Sequence, residues 1–413
     1  MKQVQKKNTQ TKISFFFFIF FIEEQNKRQQ TTTSFSPPFF CENNHMAAAA
    51  EEEIDVFELE IDEDLIADYS HKLHPLGLQT LPPPASGRKL EEIEELDVTH
   101  NNLKSLEGIE AYPRLRKACF RQNLLPEHQP LGECRETLLS LDFYLNLMRS
   151  ILPEGTAVGA KEYEYPRLLN FDASYNKVAD LEGLQRWTTL RSLYLACNRI
   201  ATLPPHVFQP LGNLRVLELG NNRLRSVGPG LEGLSQLKEL FLGKNKLAEI
   251  SGLASLTSLT RLDLQSNRIT TIGEGLRNLT GLTELYFAHN GLEEIDDGFK
   301  TLTRLRCLDL SANLISRLQN LATLTELQDF WFSSNKLASF QDVEELKPAV
   351  GLQTVYFEHN PIQQDPQYRS RLGLILPSLS QIDAQAAYPS LSLLSKGVKL
   401  IGVVSQKTES TEH

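Results

Sequence analysis

The sequence predicts an α/β solenoid of about twelve coils, a right-handed superhelix with a parallel concave β-sheet and a C-terminal cap. Three observations predict it. One template, L-x-x-L-x-L-x-x-N-x-L with Ile, Val, Phe, Ala or Met in some Leu places, recurs twelve times. Its asparagine stands at 101, 123, 146, 176, 198, 222, 245, 267, 290, 313, 335 and 360, and most steps are 22 to 24 residues. After Asn360 the period stops and apolar residues at helical spacing follow.

Each element of the template has a physical reading. The alternation L-x-L marks a short strand with its apolar side chains on one face. The asparagine lies where the chain turns, and its amide can serve backbone groups of adjacent coils. Apolar residues after it, such as Ile269, Ile272, Leu276 and Leu279, fill the return path. A single coil cannot bury its own face, so stacking makes one continuous core. A period and pattern of this kind is the leucine-rich repeat. Clear copies begin at Leu190, Leu237, Leu259 and Leu305, whereas the second and third carry Ala118 and Met148 in core places. The one long step, from Asn146 to Asn176, contains Arg149–Pro166, which reads as a looped-out insert.

The ends of the array divide the chain. Residues 1–45 hold six Lys/Arg, three Glu and a Phe-rich run from Ile13 to Ile22 that is too short to span a bilayer as a helix. They read as a leader, disordered or artefactual, with Met46 as the start of the protein proper. Residues 46–89 form an acidic segment, densest from Glu51 to Asp64, and a linker. The array covers 90–364 and the cap 365–387, where Leu372, Ile375, Leu376 and Leu379 would close the last coil. Residues 388–413 form a tail without repeat signal.

Composition narrows the function. The chain of 413 residues carries a net charge of −10, and everything after the basic leader sums to −13. A body so acidic argues against nucleic acid, which demands clustered Lys/Arg. Five cysteines without a CxxC pair favour a reducing compartment. Gly228–Gly233 satisfies G-x-G-x-x-G but lies on a return path, outside any βαβ unit. His100, His289 and His359 each precede a ladder asparagine on separate coils, so they read as turn residues and not metal ligands. Without a metal set, a nucleophile motif or a cofactor loop, the chain reads as a non-enzyme that needs no cofactor.

The residues between the leucines carry the recognition signal. Eleven acids fall on the concave face, among them Glu95, Asp97, Asp142, Glu239, Asp263 and Glu284, against Lys117, Arg121 and Arg261. One position alternates acid with aromatic, as Asp172, Tyr194, Glu218, Phe241, Asp263, Tyr286, Asp309, Trp331 and Tyr356. Solvated strand residues chosen for β propensity explain a tyrosine or two, but poorly explain an exposed Trp331 beside Phe241 and Tyr356. The implied partner is a protein with a basic surface and apolar pockets.

LRVLELGNN, LKELFLGKN, LTELQDFWFSSN and LQTVYFEHNPIQQDPQYRSRLGLILPSLSQIDA closely resemble the regulatory-subunit-7 family of type-1 serine/threonine protein phosphatase. The resemblance covers about residues 90–385. It implies a non-catalytic regulatory subunit in nucleus and cytoplasm, monomeric alone, without nucleic-acid or membrane partners. It would bind the phosphatase catalytic subunit, with a further inhibitor protein able to join, and influence its maturation, location or substrate access. The family's binding face falls on Asp172, Tyr194, Glu218, Phe241, Asp309, Asp329, Trp331 and Tyr356. Tyr194 stands where the family has Phe and Asp329 where it has Glu; the shorter Asp329 would reach a basic group less well. The rival reading is a scaffold of the same fold for another intracellular protein or a ribonucleoprotein, marked by RNA-dependent association and a basic edge.

Overall fold

The structure, a computed structural model, describes residues 70–387 apart from 74–75, 82–89 and 158. The leader, the stretch 51–64 and the tail lie outside the described residues. Among those described, fifteen strands of two or three residues form one sheet in strict chain order. All neighbours pair in parallel except the last two. Each three-residue strand of the array buries its middle side chain and turns its flanking two toward the concave side. The convex side consists of turns, short 3-10 segments and three helices, at Pro205–Phe208, Phe340–Val343 and Tyr368–Ile375.

The core repeats with the template. In one coil Leu237, Leu240, Leu242, Leu247, Leu253 and Leu256 are all at most 1% exposed. Burying each leucine is worth about 1.5–3 kcal/mol. No coil could collect that term alone, because the neighbouring coil covers each exposed end.

The asparagines tie the coils together. Asn245 Nδ2 donates to Leu219 O of the preceding coil at 2.9 Å and to Leu242 O at 3.0 Å, while Oδ1 accepts from Leu224 N at 3.0 Å. The residue before each of the twelve ladder asparagines has a left-handed backbone, with φ between 53° and 61°. Those residues include Cys197, Lys244 and Ala312, so no side chain of one type is required. The conformation disfavours any residue with a Cβ, and the asparagine bonds offset it. His100, His289 and His359 occupy this place, as turn residues. Among the described residues no cluster could hold a metal ion.

The structure departs from the sequence reading at three places. First, the sheet starts earlier than the first template copy. Ser70–Lys72 pairs with Glu95–Asp97, so part of 46–89 is structure and not linker. Asn101 dictates this, because its amide donates to Leu73 O and accepts from Leu76 N and Leu78 N. Second, the cap contributes sheet as well as helix. Gln381–Ile382 adds a parallel strand, and Gln385–Ala386 folds back antiparallel against it. There Asp383 takes the asparagine's part, accepting from Phe357 N, Glu358 N and the Tyr368 hydroxyl. Leu372, Leu376 and Leu379 are buried on the last coil as expected.

Third, Arg149–Pro166 is not looped out. Met148 is fully buried and its N–H donates to Asn176 Oδ1, so the coil stays in register on both sides of the insert. Tyr163 and Tyr165 pack inward. Tyr165 OH lies 2.6 Å from Nε2 of the wholly buried His128, whose Nδ1 lies 3.1 Å from Ile151 O. Trp187 Nε1 donates to Tyr163 O. Both His128 nitrogens, the Tyr165 hydroxyl and Trp187 Nε1 thus have partners, which is what burial demands. The glycines of Gly228–Gly233 also serve packing. A Cβ on Gly230 would lie 2.3 Å from Leu203 O, and one on Gly252 would lie 1.7 Å from Gly228 O.

Candidate functional site

Strand register places the sequence-selected row on one line. Asp172 neighbours Tyr194, then follow Glu218, Phe241, Asp263, Tyr286, Asp309, Trp331 and Tyr356, each opposite the next. Asp329 sits two residues from Trp331 on the same strand and the same face. Adjacent strands are about 4.8 Å apart, so Asp172 to Tyr356 spans roughly 40 Å. All eight binding candidates, Asp172, Tyr194, Glu218, Phe241, Asp309, Asp329, Trp331 and Tyr356, are half-buried. Trp331 is thus less exposed than the sequence suggested, because neighbouring rings and strands flank it.

The acids do two jobs. One oxygen of Asp172 accepts from Ser174 N, of Glu218 from Gly220 N, of Asp263 from Gln265 N and of Asp309 from Ser311 N, at 2.6–2.9 Å. That oxygen secures the turn leaving the strand. The second oxygen of Asp172 pairs with Arg121 and that of Asp263 accepts from Gln265 Nε2. Burial raises the Glu218 carboxyl to about 8, with Asp263 and Asp172 adding repulsion. Burial also raises Asp263, to about 6, and pushes up Asp309 and Asp329. Asp172 is raised by burial and by Asp142 beside it. These carboxyls lack enough positive charge in the free protein, and a cation from outside would relieve them.

Two arginines interrupt the acid row. Arg121 pairs with Asp142 and, at 3.3 Å, with Asp172, while its guanidinium lies 4.9 Å from the Tyr144 ring centre. Arg261 lies between Phe241 and Tyr286, 5.5 and 5.3 Å from their ring centres, with Nε 3.2 Å from Glu284 Oε2 in an ion pair rather than an aligned hydrogen bond. Tyr286 OH donates to Glu284, and the Tyr286 and Trp331 rings come within 6.2 Å across Asp309. Tyr356 OH accepts from Gln381 Nε2 of the cap at 2.6 Å. Sequence spacing put Arg121 and Arg261 on the face but could not reveal that Arg121 is shared by two carboxyls or that Arg261 lies between two rings. The residues holding Tyr356 belong to the cap, outside the periodic signal.

Comparisons with known proteins agree with the fold. The family model described as leucine rich repeat matches residues 188–247 and 257–315. A solved leucine-rich-repeat protein of Leptospira interrogans superposes with a TM-score of 0.59 at 26% identity, covering 74% of this chain and 81% of that one. A Listeria monocytogenes internalin gives 0.57 at 23% identity, over 71% of this chain and 87% of its own, a likeness of fold alone. The chain has the leucine-rich-repeat solenoid fold.

Its sequence relatives include the protein phosphatase 1 regulatory inhibitor subunit PPP1R7 homolog of Arabidopsis thaliana, 32% identical over 196 residues. That alignment takes in 46% of this chain and 55% of the relative. Human protein phosphatase 1 regulatory subunit 7 is 58% identical over 48 residues, 12% of this chain and 13% of that protein. These relatives are protein phosphatase 1 regulatory subunit 7 proteins, and the aligned part of this chain spans about half or less of their length.

Proposed function

We propose that this protein is a non-catalytic regulatory subunit that holds the catalytic subunit of type-1 protein phosphatase in its concave face. The observation that carries the reading is the row of half-buried carboxyls interleaved with aromatic rings. Glu218, Asp309 and Asp329 face the concavity without a cation within ion-pair distance among the described residues, and burial raises all three. Lys or Arg on a partner would lower them, while Phe241, Trp331 and Tyr356 supply rings to be desolvated at the centre of the contact. The relatives, phosphatase regulatory subunits by name, support the identity of the partner.

A titration of the full chain against the type-1 catalytic subunit, with Trp331→Ala beside it, tests this. The variant is expected to lose about 2 kcal/mol or more of binding while melting like the parent. Equal affinity for both proteins would remove the row as the binding site. No binding by the folded parent would remove the partner.

A further inference from the structure

The turn edge of the sheet carries a second surface of opposite sign. The residue following each ladder asparagine forms a column, because its N–H donates to the carbonyl of the coil before. Lys177 N bonds Met148 O, Arg199 N bonds Val178 O, Arg223 N bonds Ile200 O, Lys246 N bonds Leu224 O and Arg268 N bonds Leu247 O, all at 2.8 Å. Five consecutive coils thus present five cations in register. Four of them are exposed and Lys177 is half-buried. None is paired with a carboxylate among the described residues. The same column continues upstream as Leu147 and Leu124, 37% exposed each, with Leu145 beside them at 39%.

The fold does not impose this pattern. Elsewhere the column holds Asn102, Gly291, Leu314, Lys336 and Pro361, so the unbroken run of cations is confined to five coils while all coils stack equally well. A run of cations on a body that is acidic overall, ending in leucines placed where polar residues would cost nothing, marks an interaction surface.

We propose that this edge docks an acidic, amphipathic helix of a partner protein, with apolar residues at the end that meets Leu124 and Leu147. Spacing selects the helix. The five cations span about 19 Å at roughly 4.8 Å per coil. Acids one helical turn apart recur every 5.4 Å or so, and drift about 2.4 Å over that length, within reach of Lys and Arg stems. Alternate residues of an extended strand recur at about 6.7 Å and fall out of register by the third cation. Single-stranded nucleic acid fits less well. The turn segments 196–199, 220–223, 243–246 and 265–268 that carry four of the cations contain no aromatic residue, so bases would find no stacking platform beside them.

The probe is a fluorescent 18-residue peptide with Glu one turn apart on one face and two leucines at one end. It is titrated into the full chain by anisotropy, against its Glu→Gln counterpart and a single-stranded RNA of similar length. The acidic peptide is expected to bind, and to bind at least tenfold more weakly to Arg199→Gln/Arg223→Gln/Lys246→Gln. Leu147→Ser is expected to weaken it about threefold, and Trp331→Ala to leave it unchanged, which separates this edge from the concave face. The inference is overturned if the acidic peptide does not bind, if the triple variant binds it like the parent, or if the Gln peptide binds equally. Tighter binding of the RNA at the same salt concentration also overturns it, and assigns the edge to nucleic acid.

Discussion

Glu218→Gln separates the stability of this protein from its binding. In the folded chain the Glu218 carboxyl is raised from 4.5 to about 8, chiefly by burial, although Gly220 N donates to it. A carboxyl raised on folding stabilises the protein below 4.5 and loses that contribution as the pH climbs through 8. Each pH unit within this window costs the fold about 1.4 kcal/mol, so Glu218 alone removes about 2–3 kcal/mol between pH 5.5 and 7.5. Glutamine keeps an acceptor for Gly220 N–H and carries no charge to desolvate. In urea titrations at both pH values, the gap between variant and parent is expected to widen by that amount in favour of the variant. A basic partner reverses the sign, because it lowers the carboxyl pKa and binding expels the proton. Affinity of the parent should therefore rise with pH over the same window, and the variant should bind roughly tenfold more weakly at pH 7.5. Parallel stability profiles for parent and variant would refute the assignment of a desolvated, uncompensated carboxyl.

Further outcomes follow from the rest of the fold. Asn245→Ala leaves the buried Leu224 N without its acceptor and removes one of two asparagine donors from each of Leu219 O and Leu242 O, which keep Asn222 and Asn267. It is expected to cost about 2–4 kcal/mol, and hydrogen exchange should locate the loss on the two coils that flank it. An unchanged urea midpoint would show the ladder to be dispensable. Burial lowers His128 from 6.5 to about 4, so its contribution to stability is present above 6.5 and is lost as the pH falls through 4. Acidification should open the insert before the distant coils, read by the fluorescence of Trp187, whose ring lies 6.0 Å from His128. His128→Phe should remove that early acid phase; an unaltered profile would place the transition elsewhere.

The solenoid was legible in the sequence because each coil repeats one local requirement. Leucines at fixed spacing must share a core, and an asparagine must meet the chain at a left-handed turn, whatever the other coils do. The row from Asp172 to Tyr356 was legible for the same reason, since alternation within a three-residue strand settles which side chains face the concavity. The ends and the insert carried no such period. Ser70–Lys72 becomes a strand because Asn101 needs a coil before it, Asp383 replaces an asparagine only through the cap's geometry, and Tyr165 becomes core only when it meets His128 from 37 residues away.

Charge was read correctly as a sum and incompletely as a distribution. The composition gave an acidic body, and spacing placed eleven acids on one face. Which of them remain uncompensated was decided in three dimensions, where Asp142 and Asp172 share the single charge of Arg121 while Arg261 is held between Phe241 and Tyr286. The cations at 177, 199, 223, 246 and 268 are 22 to 24 residues apart in the chain and contribute only to its total. Stacked coils bring them to about 4.8 Å intervals, and electrostatic recognition depends on that distance rather than on separation along the sequence.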